Sequence, residues 1–272
     1  MTAATADDTT VNGFEVSVDE ATYLVEHLRL HGLIPEVLAL YNPMTWPDLT
    51  QAWKDLQHNR LTNERRILTG DGVRPEVADM VRTIAHADQT LAIRVIPLRE
   101  PNVMLRTAIA TRYDRFVVAS RTRDIVLVQR VPASDWITAT SAVLNTILGP
   151  TPPASMSEPV HLTATEAAAV SAAEPGQSTD HFLEYGVSAH NATILNACSS
   201  PDVVTELTAL RRVDGITRRT KTAVTLLDTV HGRVLAWPHI GIDGRTQLTY
   251  APMSLDRLDT ALTALFATLD KQ

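Results

Sequence analysis

The 272-residue chain reads as an α+β protein with a central antiparallel β-sheet flanked by helical bundles. Two observations point there. Period-two strand patterns recur over residues 91–131 and 203–251, and their connections are too short for the crossovers that parallel strands need. Helical start signals precede each of these blocks, and one amphipathic helix follows each. A third observation adds symmetry: the order of helices, about four strands and a closing helix occurs twice. A meander with one apolar face leaves an open edge, and pairing the two blocks into one sheet removes it. The expectation is one domain over residues 1–272, pseudo-two-fold symmetric from an internal duplication. Its halves, 13–149 and 160–272, are joined by a proline-rich linker, 149–159.

The first half opens with an apolar strand at 14–18 that runs straight into a helix. Ser17 and Glu20 have capping-box spacing, and Leu24, Leu28 and His31 follow on one face. Thr45 and Asp48 repeat that start signal, with Pro47 in the first turn and Leu49, Trp53 and Leu56 at helical spacing. Pro75 and Glu76 begin a third helix carrying Val77, Met80, Val81 and Ile84. Strands follow at 91–96, 103–112, 115–120 and 124–131, with tight turns at Tyr113-Asp114 and Thr122-Arg123. A helix striped by Trp136, Thr140, Val143, Leu144 and Ile147 closes the half.

The second half has helices near 163–173, 179–185 and 188–198. Strands follow at 203–212, 217–229, 233–238 and 246–251. Asp214-Gly215, His231-Gly232 and Asp243-Gly244 mark turns between them. The last helix begins at Ser254 and carries Leu255, Leu258, Leu262, Leu265 and Leu269.

Apolar residues make up 44% of the chain and charged ones 20%, which suits a globular protein able to bury a sizeable core. Cys198 is the single cysteine, so no disulfide can form within the chain. Residues 1–10 are small and acidic, unlike a signal peptide, and no apolar run approaches the roughly 20 residues of a membrane span. The expected setting is the cytoplasm. A net charge of −7 opposes generic phosphate-backbone binding. One stretch runs against that balance. Between residues 94 and 130 eight arginines, among them Arg94, Arg99, Arg106 and Arg121, face only Glu100, Asp114 and Asp124. They read either as a solvated sheet face that discourages aggregation or as a docking face for an acidic or hydrogen-bonding partner. Nucleic-acid binding through this stretch would be strongly salt-dependent, and the overall acidity argues against it.

Catalytic signatures are absent. There is no P-loop, no Gly-x-Gly-x-x-Gly and no Gly-x-Ser-x-Gly. Gly70-Asp71-Gly72 reads as a turn. His27 and His31 are spaced i, i+4, but a catalytic zinc would need a third ligand and a base that nothing supplies. Cys198 follows Ile194, Leu195 and Ala197 near a helix end and reads as a buried structural thiol, not as a nucleophile partnered by His181 or His190. The expectation is a protein with no cofactor and no metal. What remains is apolar surface. Ile96, Leu98, Val103 and Met104 flank the loop 99–102, either as core beside a hairpin or as an apolar lip gripping a partner. Phe182, Leu183 and Tyr185 before Gly186 pose the same choice.

The run Asp71-Gly72-Val73-Arg74-Pro75-Glu76-Val77-Ala78-Asp79-Met80-Val81 resembles the Gly-x-x-x-Pro-x-Val-x-x-Met/Trp-Val stretch of the EspG family. The strand block follows it as in that family, and residues 222–235 look like the family's second meander. The likeness extends over 14–269, in order and spacing more than in one motif. It implies a cytosolic, non-enzymatic chaperone of ESX type VII secretion. Such a chaperone binds PE–PPE heterodimers at the apolar PPE tip, keeps them soluble and directs them to the secretion machinery. The regions implied to grip the partner match 91–112 and 179–198, with 99–102 as a mobile loop. On that basis the candidate contacts are Arg94, Ile96, Leu98, Val103, Met104 and Arg106, with Phe182, Leu183 and Tyr185. One departure is that this chain stops just after its last helix, where some members continue. A small-molecule-binding or hydrolytic α+β domain with a pocket on the sheet face is the alternative. The state of the free protein stays open, a weak homodimer included.

Overall fold

The computed structural model describes residues 12–41, 47–100, 102–174, 177–241 and 244–269. Strand β1 (Gly13–Ser17) enters helix α1 (Val18–His27) through a complete capping box. The Glu20 amide donates to the Ser17 hydroxyl at 3.1 Å, and the Ser17 amide donates to the Glu20 carboxylate at 2.6 Å. Helix α1 ends at His27, and Arg29 with φ 57° turns the chain. His31, expected on the same helical face, therefore lies in the turn that follows.

Helix α2 (Pro47–Asn59) buries Trp53 but leaves Leu56 48% exposed, so its apolar stripe is narrower than the spacing suggests. Thr45, the expected cap, lies outside the described residues. A one-turn π-helix over 60–64 leads to the small hairpin β2 (Leu68–Thr69) and β3 (Gly72–Val73). Helix α3 (Pro75–Ala85) starts with Pro75, whose missing N–H costs nothing in a first turn. It buries Val77, Met80, Val81 and Ile84 as their period predicts.

The first meander comprises β4 (Gln89–Pro97), β5 (Leu105–Arg112), β6 (Arg115–Thr122) and β7 (Ile125–Val131). Tyr113 and Asp114 have φ of 50° and 59°, the double left-handed geometry of a tight hairpin. The β6–β7 turn falls at Arg123-Asp124, one residue later than expected. Helix α4 (Trp136–Leu148) is capped by Asp135.

Residues 149–159 run over the surface but are anchored to the second half. Ala154 and Met156 are buried, the Ala154 amide donates to the Arg233 carbonyl, and the Arg233 amide donates to that of Pro152. Strand β8 (Val160–Thr163), which the sequence reading left out, enters helix α5 (Ala164–Ala172) through a second capping box made by Thr163 and Glu166. Helices α6 (Ser178–Glu184) and α7 (Ala189–Ala197) precede β9 (Val203–Val213). The expected single strand 217–229 is two strands, β10 (Ile216–Arg219) and β11 (Val224–Thr229). The break has a local cause. The Thr220 hydroxyl accepts the Ala209 N–H at 3.2 Å in place of a ladder carbonyl. Residues 220–223 then oppose only 208–209 of β9, so the chain bulges. Strands β12 (Gly232–Ile240) and β13 (Thr246–Pro252) and helix α8 (Leu255–Ala267) complete the chain.

All strands but β2 and β3 form one eleven-stranded sheet in the order β1-β7-β6-β5-β4-β9-β11-β12-β13-β8, with β10 beside β9. The halves join along β4 and β9, antiparallel from Gln89 opposite Arg211 to Pro97 opposite Val203. Moving outward from that junction, each half shows its first meander strand, then the rest in order, then its leading strand at the edge.

One sheet face is covered by α4 and α8. There Leu91, Ile93, Ile109, Leu207, Leu226 and Leu235 meet Leu144, Leu258 and Leu262. The opposite face carries two bundles. Over the first half, Ala92, Ala108, Ala110 and Ala119 are small enough for Leu24 and Met80 of α1 and α3 to pack closely. Over the second half, Val234 and Leu227 meet Phe182, Ile194 and Leu195 of α6 and α7. Each fully buried aliphatic side chain contributes about 1.5–3 kcal/mol, so these three cores hold the sheet against its helices.

Candidate partner-binding face

The two bundles share a face but do not meet over the β4–β9 junction. Over that junction lies an open cleft of about 340 Å³. Its floor is Ala92 and Arg94 of β4 with Glu206, Thr208 and Leu210 of β9. One wall is the segment 35–37 and the other is the bulge after β10. The first wall is held from below: the Arg121 guanidinium donates to the carbonyls of Leu38 and Ala39.

Register builds a charged row across this floor. Glu206 stands opposite Arg94, Arg94 opposite Arg106, and Arg106 opposite Arg121. Like charges placed directly opposite cost stability. Among the described residues, Arg94, Arg106 and Glu206 make no ion pair and no side-chain hydrogen bond. Other arginines of the same stretch are engaged. Arg99 pairs with Asp202 at 2.6 Å, and Arg115 and Arg130 both reach Asp79.

The next row is aliphatic. Ile96 stands opposite Val204, Val204 opposite Leu227, and Leu227 opposite Val234. Ile96 and Val204 are half-buried, whereas Val234 lies within the core beneath α6 and α7. The sheet thus links the two apolar patches singled out in the sequence. At the first, Leu98 is 48% exposed and Val103 and Met104 are half-buried. At the second, Leu183 is 45% exposed and Tyr185 is half-buried against the α6–α7 core. Phe182 is different. At 3% exposure its side chain is part of that core and presents no surface.

The thiol of Cys198 is half-buried at the end of α7, where loss of solvent pushes its pKa up to about 12. It holds no thiolate at neutral pH. His190 contacts the Ser155 carbonyl and His181 the Glu184 carboxylate, so neither imidazole addresses the sulfur. Among the described residues no group of three or more His, Cys, Asp or Glu side chains could hold a metal ion. No described helix is long and apolar enough to cross a membrane.

Glu206, Val204 and Thr208 escaped the sequence reading. Their period-two spacing places them on one face of β9, but only the register with β4 sets them beside Arg94 and Ile96.

One antiparallel sheet, two bundles on one face and an open cleft at the junction of the halves define an α+β class of distinctive layout. The EspG family model matches residues 17–264, and the chain belongs to the EspG family. It is 28% identical over 270 residues to the ESX-1 secretion-associated protein EspG1 of Mycobacterium tuberculosis, spanning 98% of this chain and 90% of that one. Against the ESX-3 secretion-associated protein EspG3 of Mycolicibacterium smegmatis, identity is 28% over 260 residues, with 95% and 87% covered. Among solved structures, the Mycobacterium tuberculosis type VII secretion system chaperone EspG5, in complex with a PE25-PPE41 dimer, superposes with a TM-score of 0.78. That match covers 94% of this chain and 96% of that one at 18% identity, a likeness of fold.

Proposed function

We propose that this protein is a cytoplasmic chaperone of type VII secretion substrates. It binds PE–PPE heterodimers through the apolar tip of the PPE subunit, keeps them soluble and directs them to an ESX system. In this reading it is a binding protein and not an enzyme. The observation that carries it is family membership over nearly the whole chain. A chaperone of the same fold captured with a PE25-PPE41 dimer supports it.

The face between the bundles suits such a client. Burying apolar surface contributes about 25 cal/mol per Å², and the half-buried Ile96–Val204 row with exposed Leu98 and Leu183 offers that surface. Arg94, Arg106 and Glu206 add polar contacts that set register and permit release. The client contacts are assigned to Arg94, Ile96, Leu98, Val103, Met104 and Arg106, with Leu183 and Tyr185. Phe182 supports them from the core beneath. The halves 13–149 and 160–272 are read as copies of one duplicated unit within a single domain.

Co-expression with PE–PPE pairs of the same genome, followed by gel filtration, is the test. A stable co-eluting complex is expected with at least one pair, and no co-elution with any pair would end the proposal. Leu98→Asp combined with Leu183→Asp should weaken a captured complex by about 10- to 100-fold, the loss of one or two desolvated anchors. Leu56→Asp, on the exposed side of α2, should leave it intact.

A further inference from the structure

The β9–β10 hairpin stands apart from the charge balance of the protein. Over residues 211–221 it carries Arg211, Arg212, Arg218, Arg219 and Lys221 against the single acid Asp214, in a chain of net charge −7. Arg211 and Arg218 are directly opposite one another, a pairing that costs stability in an isolated hairpin. The hairpin projects from the sheet, with every residue from Val213 to Arg219 exposed. At its end Val213 and Ile216 form a cross-strand pair, 39% and 67% exposed. Arg219 and Lys221 at its base line the wall of the cleft, but the candidate client contacts do not account for its exposed end, 213–218.

The layers of the hairpin are ordered by depth. The aliphatic pair lies at the apex beside the Asp214-Gly215 turn, whose φ values of 51° and 78° make it a tight two-residue connection. The Arg211–Arg218 pair lies two residues back, about 7 Å at the usual rise of a strand. An interfacial apolar element reaches about 5–10 Å into the boundary between headgroups and acyl chains. Cations set that far behind the apex sit level with the phosphates. We propose that the β9–β10 hairpin is a peripheral docking element for anionic phospholipid surfaces. Its aliphatic apex enters the headgroup boundary and the exposed Arg218 and Arg219 pair with lipid phosphates, while the Arg212 guanidinium stays on the Ala85 carbonyl.

The net negative charge does not forbid this. Screening limits each charge to about 8 Å at physiological salt, so a surface meeting the hairpin end-on senses the local cations. The nearby acids are Asp214 at the apex, Asp88, whose carbonyl accepts the Arg212 N–H, and Glu36 and Glu206, which line the cleft at the hairpin's base beside Arg219 and Lys221. Asp214 opposes deep entry, and that gives the proposal a distinctive signature. The site also differs from a nucleic-acid surface, since the hairpin carries no aromatic side chain for stacking on bases.

The test is co-sedimentation of the full chain with vesicles of phosphatidylcholine alone and of phosphatidylcholine mixed with phosphatidylglycerol. Binding to the mixed vesicles alone, lost at high salt, is expected. One cation near such a surface changes affinity about fivefold, so Arg218→Glu should weaken binding at least tenfold. A carboxylate at that position faces Arg211, so the hairpin keeps its pairing. Ile216→Asp should also weaken binding, whereas Asp214→Asn, which still suits the turn, should tighten it about fivefold. Absence of binding to the anionic vesicles would overturn the proposal. So would binding indifferent to Arg218→Glu. Equal affinity for a DNA duplex or for polyglutamate, with Ile216→Asp silent, would show a general polyanion patch and overturn the lipid assignment.

Discussion

The two halves place the same parts in the same order around the β4–β9 junction, yet they carry their loads differently. Each begins with an edge strand that enters a helix through a capping box, Ser17 with Glu20 and Thr163 with Glu166. Each ends with an amphipathic helix on the opposite face, capped by Asp135 or Ser254. The bundles differ in substance. Among the described residues, 22 buried positions make the core beneath the first bundle and nine the core beneath the second. Fewer buried residues mean cheaper local opening, so the second bundle is the more adaptable of the two. The first half is built as a base. The second half is tied down instead by specific polar and backbone contacts where residues 151–154 cross its β11–β12 hairpin.

Those contacts supply the largest expected effect. Arg233 donates to both oxygens of Asp228, at 2.6 and 2.8 Å, with side-chain exposures of only 5% and 14%. Thr151 also donates to that carboxylate. Removing the guanidinium leaves a buried carboxylate without its partner, so Arg233→Ala should destabilise by about 3–5 kcal/mol in urea unfolding. In the first half Arg115 pairs with Asp79 at 3.5 Å while 66% exposed. Arg115→Ala should cost no more than about 1 kcal/mol. Equal costs would erase the contrast between the halves.

A second asymmetry sits one residue away. Gly232 is the first residue after its hairpin turn, with φ 104°, and a Cβ there would lie 2.7 Å from the Pro152 carbonyl and 2.8 Å from that of Pro153. The first hairpin holds Arg115 at the corresponding place, because no segment crosses it. Gly232→Ala should therefore cost about 1–3 kcal/mol from backbone conformation alone, and more from the clash. Thermal unfolding reads it out. A neutral result would mean that residues 152–154 do not hold this position in solution.

The sequence made some of this legible and hid the rest for identifiable reasons. Alternation at Leu91, Ile93 and Val95 and the tight Tyr113-Asp114 turn are local signals, and the meanders follow from them. Strand β8 was missed because residues 160–163 sit between a proline-rich segment and a capping box. The parallel with the strand ahead of Ser17 was the available clue. The division of 217–229 escaped because one hydroxyl, that of Thr220, replaces a ladder carbonyl within the polar run 217–222, where no apolar period exists to be interrupted. The site was legible as two patches, 96–104 and 182–185, but not as one face. What joins them is the pairing of Ile96 with Val204 and of Val204 with Leu227, a register between distant segments that no local pattern encodes.

If the two capping boxes are equivalent devices, they should fail alike. Ser17→Ala and Thr163→Ala each remove the side-chain acceptor for an N3 amide, which costs about 1 kcal/mol. Chemical denaturation should give the two values within a few tenths of a kcal/mol of each other. A cost at one site alone would show that the matching geometry hides different duties.

The closing helices differ in the chemistry of their caps, and the difference is visible only in acid. The Asp135 carboxylate accepts the Thr138 N–H at 2.8 Å and the Ser134 hydroxyl at 2.9 Å. The bonds from the Thr138 backbone and side chain, then that from Ser134, hold its pKa below the ordinary value of 3.8. A carboxyl depressed on folding stabilises fully above its unfolded pKa and loses that contribution as pH falls through its folded value. Ser254 accepts from the Arg257 N–H through a hydroxyl that does not titrate. Asp135→Ser keeps a cap on α4 and removes the titrating group. Stability measured from pH 6 down through the carboxylate range should then fall less steeply than in the parent protein, with the difference confined to the region below about pH 4. Ser254→Ala should lower stability by a similar amount at every pH in that series. Parallel acid profiles for the parent and Asp135→Ser would show that the Asp135 carboxylate contributes as a neutral cap does, and the two closing helices would then be chemically as well as topologically alike.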